Sequence, residues 1–345
     1  MCIAVRWDWR RFYPELYNDL SEKLKSDINH LLLEFDNIFN NKPGLSKIGR
    51  HRILVKTDIK PFKCKQYRLH PDKQKVLDAD IQKLIALDLI QESQSSFASP
   101  CMPLDKPDGG VGLIIDFRQL NSQCDCQSFP IGRINDLIDK IGQSKFLTKL
   151  DTTKAYWNVK LEEESLLYNA FITRNGFFEW KVLPFGLSGA CATFNRIVNK
   201  LLERFRHFTF GYFDDALIFS SSWPNHLLDV SNVLKVIKQA GLNLNRDKCE
   251  FGKAVTYFLG FRVGLGRIEL RQRKVEAIVN CPRPTSKKQI SQWCDLASYY
   301  QKFLHILRLL LPYSQTCLRK QLVYLVKWSW CCFCGDNVLH GFLFL

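Results

Sequence analysis

The chain has 345 residues, 46% of them hydrophobic, and its 49 Lys and Arg outnumber its 34 Asp and Glu for a net charge of +15. That length and apolar content exclude wholesale disorder and suit two domains or one large elongated one. The charge excess points to a polyanionic partner, most simply nucleic acid, with a merely soluble basic protein as the alternative.

No run of 18 apolar residues is present, so no membrane span is expected. Thirteen cysteines are scattered singly, and the first residues, MCIAVRWDWRRFYPEL, are charged and aromatic rather than a secretory leader. A reducing, intracellular setting, cytoplasm or nucleus, is therefore expected. Cys124/Cys126 and the run Cys331, Cys332, Cys334 have no second pair at zinc-site spacing and read as structural.

Residues 1–60 are weakly patterned, with a turn at Asn40–Gly44. Pro61–Pro71 is basic and aromatic and reads as an extended strap. A helix follows, with Leu77, Ile81, Leu84 and Ile85 on one face, and the serine-rich stretch Ser93–Pro100 is expected to stop it. Met102–Leu104 and Val111–Phe117 flank Asp108-Gly109-Gly110 and predict a hairpin. Phe146–Asp151 reads as a buried strand ending in a carboxylate. Phe171–Leu183 reads as a hairpin turning at Asn175-Gly176, and Ala190–Phe205 as a helix.

Phe208–Ser220 (FTFGYFDDALIFS) places two adjacent aspartates between aromatic, β-rich runs, which predicts strand, turn, strand with the acids at the tip. A helix over about Asn225–Ala240 presents Leu227, Val230, Leu234 and Ile237, and Gly241 stops it. Val255–Val263 adds another strand pair. Pro284–Leu304 predicts a helix with Ile290, Trp293, Ala297, Tyr300 and Phe303 on one side. Helices mixed with hairpin-joined strands predict an α+β sheet domain rather than a doubly wound parallel one.

Adjacent buried aspartates repel each other, and a solvated turn is the bland reading of Asp214-Asp215. Embedded in apolar strands, the pair instead suits a divalent cation. Mg²⁺ takes oxygen ligands and uses few carboxylates plus substrate phosphates. Two such ions about 4 Å apart need a third carboxylate. Asp151, at the end of a separate apolar strand, is the candidate, and the chemistry suggested is in-line phosphoryl transfer.

Tyr212-Phe213-Asp214-Asp215 resembles the Tyr-x-Asp-Asp box of reverse transcriptases. Further boxes are similar to the polymerase region of gypsy-type LTR retrotransposon pol polyproteins. They are Tyr67-Arg68, SQSSFASP from Ser93, KPDGGVGLIIDFRQLN from Lys106, LDTTKAYW from Leu150 and LPFGL from Leu183. Lys248–Phe251, Phe258-Leu259-Gly260 and Tyr299-Tyr300 continue the series, so the resemblance spans about residues 30–310. It implies a right-hand polymerase fold with fingers, palm and partial thumb, the palm an antiparallel sheet packed on helices. It divides the chain into a leader or linker (1–60), fingers and palm (61–265), the start of a thumb or connection (266–310) and a divergent tail (311–345).

The resemblance implies an RNA-directed DNA polymerase that adds dNTPs to a primer 3′-OH on an RNA or DNA template, with two Mg²⁺ ions (or Mn²⁺). Asp151, Asp214 and Asp215 would be the metal ligands. Tyr156 would be the aromatic gate that leaves no room for a 2′-OH. Phe185 and Gly186 would lie near the incoming nucleotide, Lys106 near the triphosphate, and Arg118 with Asp116 in a fingers motif. Lys248 would be either a general acid for pyrophosphate or a plain surface lysine. Phe258, Leu259 and Gly260 would grip the primer. Bland alternatives are core packing for Phe185 and Tyr156 and a structural ion pair for Arg118.

Gly112 departs from the pattern, because the resemblance implies arginine there as a clamp on the triphosphate. Ser188-Gly189-Ala190-Cys191 departs from the usual Asn-Ala-Pro, Tyr168–Phe171 from Lys-Thr-Ala-Phe, and Trp293–Asp295 from Phe-Leu-Gly. The likeness fades from about Leu311, and protease, RNase H and integrase parts are not visible, so a fragment of a longer element is expected. Two other readings stand beside the polymerase. One is a weakened or inactive remnant that keeps the fold and nucleic-acid binding. The other is an RNA replicase, against which Tyr156 argues.

Overall fold

The computed structural model describes residues 22–105, 111–125, 144–264 and 266–270, together with residues 137, 140, 141, 286 and 289. Lys106, the Asp108-Gly109-Gly110 turn, the expected 284–304 helix apart from two residues, and the tail from Leu311 lie outside the described residues.

The described residues open with α1 (Glu22–Leu33), within the stretch whose sequence is weakly patterned. Its buried stripe is short, Ile28 and Leu32 with Phe35 just beyond. Strand β1 (Arg50–His51) follows. Helix α2 (Pro71–Ala86) starts where Pro71 presets the first turn and the His70 side chain accepts a hydrogen bond from the Asp72 amide. Leu77, Ile81 and Leu84 are buried as expected, but Ile85 is 40% exposed. At 100° per residue, position 85 turns past the face that 77, 81 and 84 share. The helix ends at Ala86, before the serine-rich stretch expected to stop it, and Asp88 reverses the chain at φ +56°.

Strands β2 (Ile90–Glu92), β3 (Ser99–Asp105) and β4 (Val111–Ile115) follow, then the short α3 (Arg118–Ser122). Next come β5 (Phe146–Asp151), β6 (Lys160–Leu161), α4 (Glu163–Leu166), β7 (Phe171–Thr173) and β8 (Gly176–Trp180). They lead to α5 (Ala190–Leu202), β9 (Thr209–Tyr212), β10 (Asp215–Ser220) and α6 (Trp223–Ala240). The described chain closes with β11 (Glu250–Lys253), β12 (Val255–Phe258), β13 (Phe261–Gly264) and β14 (Arg267–Leu270).

Two larger sheets result, ordered β2-β8-β7-β3-β4 and β11-β5-β10-β9, with β1 and β6 as a separate parallel pair. Pairing in the β11-β5-β10-β9 sheet is antiparallel throughout. Helices α5 and α6 pack on this sheet, and α1 packs on α6. Gly211 lets α5 approach β9, since a Cβ there would meet Val198 Cγ1 at 3.0 Å and Leu202 Cδ1 at 3.1 Å. Val230, Leu234 and Ile237 of α6 are buried, Leu227 is partly so, and Gly241 caps the helix at φ +74°.

The chain divides into two units. The first runs through Thr256 and includes Gly264–Gly266; the second takes Tyr257–Val263 and continues from Arg267. Tyr257–Val263 and Arg267–Leu270 of the second belong to a three-stranded sheet ordered β12-β13-β14.

A buried polar chain crosses the first unit's antiparallel sheet. The Gly252 amide donates to Thr148 Oγ1 at 3.1 Å, and Thr148 Oγ1 lies 2.8 Å from His226 Nε2. His226 Nδ1 lies 3.0 Å from Ser220 Oγ, which donates to Asp229 Oδ2 at 2.7 Å. Ser220 spends its one proton on Asp229, so it accepts from Nδ1–H. Nε2 then accepts from the Thr148 hydroxyl, which leaves every proton in the chain with one acceptor. His226 is fully buried, and burial lowers its pKa to about 4, so the ring is neutral.

Candidate active site

The carboxylates gather at one end of the β5–β10 pair. Register sets Asp215, the first residue of β10, directly across from Asp151, the last of β5. Asp214 sits in the two-residue turn that joins β9 to β10, where Tyr212 pairs with Asp215. Phe213, the other turn residue, is held at φ +49°, a left-handed conformation that a bulky side chain adopts at a cost of about 1–2 kcal/mol.

Three contacts hold that turn. The Phe213 amide donates to Asn195 Oδ1 of α5 at 3.0 Å. The Thr152 amide donates to the Asp214 carbonyl at 2.9 Å. The rings of Tyr212 and Phe213 meet edge to face at 4.7 Å. On the other strand the Asn245 amide donates to the Asp151 carbonyl at 2.9 Å, and the Asp151 amide donates to the half-buried Cys249 thiol at 3.4 Å.

The charges are poorly compensated. Burial, then Asp215, then Asp151 raise the Asp214 pKa to about 6. Burial also raises Asp151 and, with help from Asp151, Asp215, while Lys149 and Lys248 oppose the shift at both. Lys248 Nζ is 3.9 Å from Asp151 Oδ1 on a side chain that is 64% exposed. Lys149 also reaches Glu250, at 3.7 Å. Asp214 Oδ1 is buried without a hydrogen-bond partner.

An orphaned carboxylate oxygen, and carboxylates whose pKa values burial and then mutual repulsion raise, are what a hard cation would relieve, so the donor set fits Mg²⁺. Among the described residues, no three His, Cys, Asp or Glu side chains close into a ligand cluster. Ionised carboxylates repel one another until a cation stands between them, and substrate phosphates complete the shell of a two-ion site.

Tyr156 lies in the short turn Ala155–Asn158 that follows β5. Asn158, fully buried, holds this turn by donating to the carbonyls of Thr153, Lys154 and Ala155 at 2.7, 3.2 and 3.2 Å. The Tyr156 ring meets Phe185 edge-on at 5.0 Å and Phe194 at 5.8 Å, and its hydroxyl lies 3.0 Å from Cys191 Sγ. Burial first, and Asp214 among the lesser causes, raise its pKa above the usual phenol range. Phe185 is 42% exposed, and Gly186 turns at φ +86° with its carbonyl accepting from Asn121 Nδ2 at 2.9 Å.

Arg118 is engaged locally. Its Nε and Nη2 donate to Asp116 Oδ1 and Oδ2 at 2.8 and 2.6 Å, and this pairing holds the Asp116 pKa down at about 2. Gly112 in β4 pairs with Leu104 of β3, which is 51% exposed, so this side of the hairpin faces solvent. In the second unit, Phe258 is buried at the end of β12, while Leu259 (φ +52°) and Gly260 (φ +81°) make the turn into β13. Lys106 lies outside the described residues.

Asn195, Asn158 and Cys191 carry no signal that marks them in the sequence. Asn195 and Cys191 act through tertiary hydrogen bonds and Asn158 through a local turn, and only the spacing Cys191–Phe194 on one helix face hints that both meet the same partner. Among the described residues Cys64, Cys101, Cys124, Cys191 and Cys249 are unbridged.

A four-stranded antiparallel sheet backed by helices, with carboxylates on the ends of two paired strands, defines a palm-type polymerase core. Solved structures share this fold. A foamy viral protease-reverse transcriptase in complex with double-stranded DNA superposes with a TM-score of 0.78 at 20% identity over 95% of this chain and 60% of that one. The same kind of protein in complex with an RNA/DNA hybrid gives 0.74 at 19% over 96% and 47%.

Residues 54–263 match the family of reverse transcriptases (RNA-dependent DNA polymerases), and the chain belongs to that family. The retrovirus-related Pol polyprotein from transposon 297 of Drosophila melanogaster is 33% identical over 276 residues. That alignment takes in 78% of this chain and 26% of the relative. The corresponding polyprotein from transposon opus is 31% identical, over 80% and 28%. The Tf2-3 polyprotein of Schizosaccharomyces pombe is 29% identical, over 77% and 20%. The chain thus spans 20–28% of the length of these relatives.

Proposed function

We propose that the chain is an RNA-directed DNA polymerase that extends a primer with dNTPs on an RNA or DNA template. The observation that carries this reading is the pairing of Asp151 with Asp215 beside Asp214, whose buried Oδ1 has no partner. Asp151, Asp214 and Asp215 would hold two Mg²⁺ ions, which when bound lower the pKa of an attacking hydroxyl and neutralise the leaving pyrophosphate.

The other residues bind and orient. Tyr156 stands beneath the incoming sugar and excludes a 2′-OH. Phe185 and Gly186 border the nucleotide, and Arg118 and Lys106 supply positive charge for the triphosphate. Lys248, exposed and 3.9 Å from Asp151, is placed to hold a proton near the departing group. Phe258, Leu259 and Gly260 form a primer-contacting hairpin. In this reading residues 61–265 are fingers and palm, residues 266–310 begin a thumb, and protease, RNase H and integrase parts belong elsewhere in a parent polyprotein.

The test is primer extension on an RNA template with dNTPs and Mg²⁺. Wild type extends and Asp214→Asn does not; an inert wild type, or an Asp214→Asn variant of equal activity, refutes the reading.

Gly112 favours a second reading, a copy that keeps fold and nucleic-acid binding but extends weakly. The absent guanidinium removes a charged hydrogen bond worth about 1.5–3 kcal/mol. Gly112→Arg on the solvent-facing side of β4 then raises extension and lowers the KM for dNTP, while salt-dependent hybrid binding is unchanged.

A further inference from the structure

Helix α5 offers two contacts to one tyrosine. Phe194 and Cys191 lie three residues apart on it, and both meet Tyr156, Phe194 by its ring and Cys191 by its thiol. Phe194 is fully buried and so fixes the ring from the core side, and Phe185 closes a second edge at 5.0 Å. Neither ring restrains the hydroxyl. Its partner is Cys191 Sγ at 3.0 Å, on an exposed side chain in the first turn of α5.

We propose that Cys191 is a positioning residue for Tyr156, holding the phenol tip so that the site prefers a 2′-deoxy sugar. The inference rests on the reading of Tyr156 as the sugar gate. A gate that works by steric exclusion depends on where its ring stands, and a ring held on its edges alone can tilt about its stem. A phenol hydroxyl beside a thiol has a donor and an acceptor on each side, so the contact survives either direction of donation. Sulfur is the weaker partner, which makes the tether soft and replaceable by a hydroxyl. A phenol is protonated and able to donate at neutral pH.

The experiment compares single-nucleotide incorporation of dNTP and rNTP by wild type, Cys191→Ala, Cys191→Ser, Tyr156→Phe and the Tyr156→Phe/Cys191→Ala double variant. Loss of one hydrogen bond lowers the dNTP-to-rNTP preference of Cys191→Ala by about threefold to tenfold, and Cys191→Ser restores it. Tyr156→Phe lowers the preference similarly, and the double variant falls no further, because both changes remove the same contact.

A readout that needs no catalysis follows site-resolved alkylation by N-ethylmaleimide, in which Tyr156→Phe alters the rate at Cys191. A Cys191→Ala variant with the wild-type preference, an additive double variant, or an alkylation rate indifferent to Tyr156→Phe overturns the inference. A Tyr156→Ala variant that keeps the wild-type preference instead shows that the gate reading is wrong, and the inference falls with it.

Discussion

Strands β5 and β10 carry polar groups at both ends, and the two ends are built on opposite terms. At one end Thr148 and Ser220 are joined through His226, and each hydroxyl proton and ring nitrogen has a partner. At the other end Asp151, Asp214 and Asp215 crowd together, Asp214 Oδ1 has none, and Phe213 is held at φ +49°. Thr148 lies three residues from Asp151 along β5, and Ser220 five from Asp215 along β10, so a satisfied group and a frustrated one share one ladder. The first stabilises the sheet; the second concentrates repulsion that, on the proposed reading, a bound cation and substrate would relieve.

The largest effect comes from breaking the frustrated end. Asp151→Asn is expected to lower primer extension by at least about a hundredfold, since it removes a ligand for charge developing in transfer. Its melting temperature does not fall, because burial disfavours this carboxylate and neutralising it lifts its repulsion of Asp214 and Asp215. Loss of folding together with activity would place Asp151 with the structural groups instead.

Breaking the satisfied end gives the converse. His226→Phe leaves the Thr148 and Ser220 hydroxyls buried beside a ring that cannot bond them, at a cost of about 2–4 kcal/mol. Urea unfolding measures this, and a loss below about 0.5 kcal/mol would show that the chain of hydrogen bonds is dispensable.

The two ends also titrate with opposite sign in metal-free protein. His226 has a folded pKa of about 4 against 6.5, so between those values the unfolded chain binds more protons, and this contribution to stability is lost as pH falls. Asp214 has a folded pKa of about 6 against 3.8, so the folded chain holds the extra proton, and stability is lost as pH rises through that window. Melting curves from pH 4 to 7 should therefore change slope in opposite directions in His226→Gln and Asp214→Asn. A common direction would contradict the comparison.

How far these ends can be read in sequence differs in the same way. The carboxylate end was legible because each acid sits inside a short apolar strand motif that marks it. FLTKLD and YFDDALIF mark strands, and their acids fall at the strand ends, where β5 stops at Asp151 and β10 starts at Asp215. The satisfied end was not, because Thr148, Ser220, His226 and Gly252 come from four elements, and each looks ordinary alone. Ile85 was misplaced because 3.6-residue spacing admits two adjacent flanks to one apolar face, and only packing selects between them. Helix α1 escaped because its stripe is two residues long. The ion pair of Arg118 with Asp116, left open beside a substrate role, is present in the structure.

The smallest effect tests whether strain at the catalytic turn belongs to the mechanism. Phe213→Gly removes a left-handed bulky residue, a gain of about 1–2 kcal/mol, but also removes the edge-to-face contact with Tyr212, a loss of about 0.5–1.5 kcal/mol. Glycine also adds freedom to the unfolded chain, so net stability should shift by less than about 1 kcal/mol. Activity should fall severalfold more than that change implies. The Asn195 bond to the residue 213 amide survives, but the turn that aims Asp214 is no longer confined to one conformation. A glycine variant with wild-type kcat would mean that the bonds from Asn195 and Thr152 alone aim Asp214, and that the strained phenylalanine is tolerated rather than used.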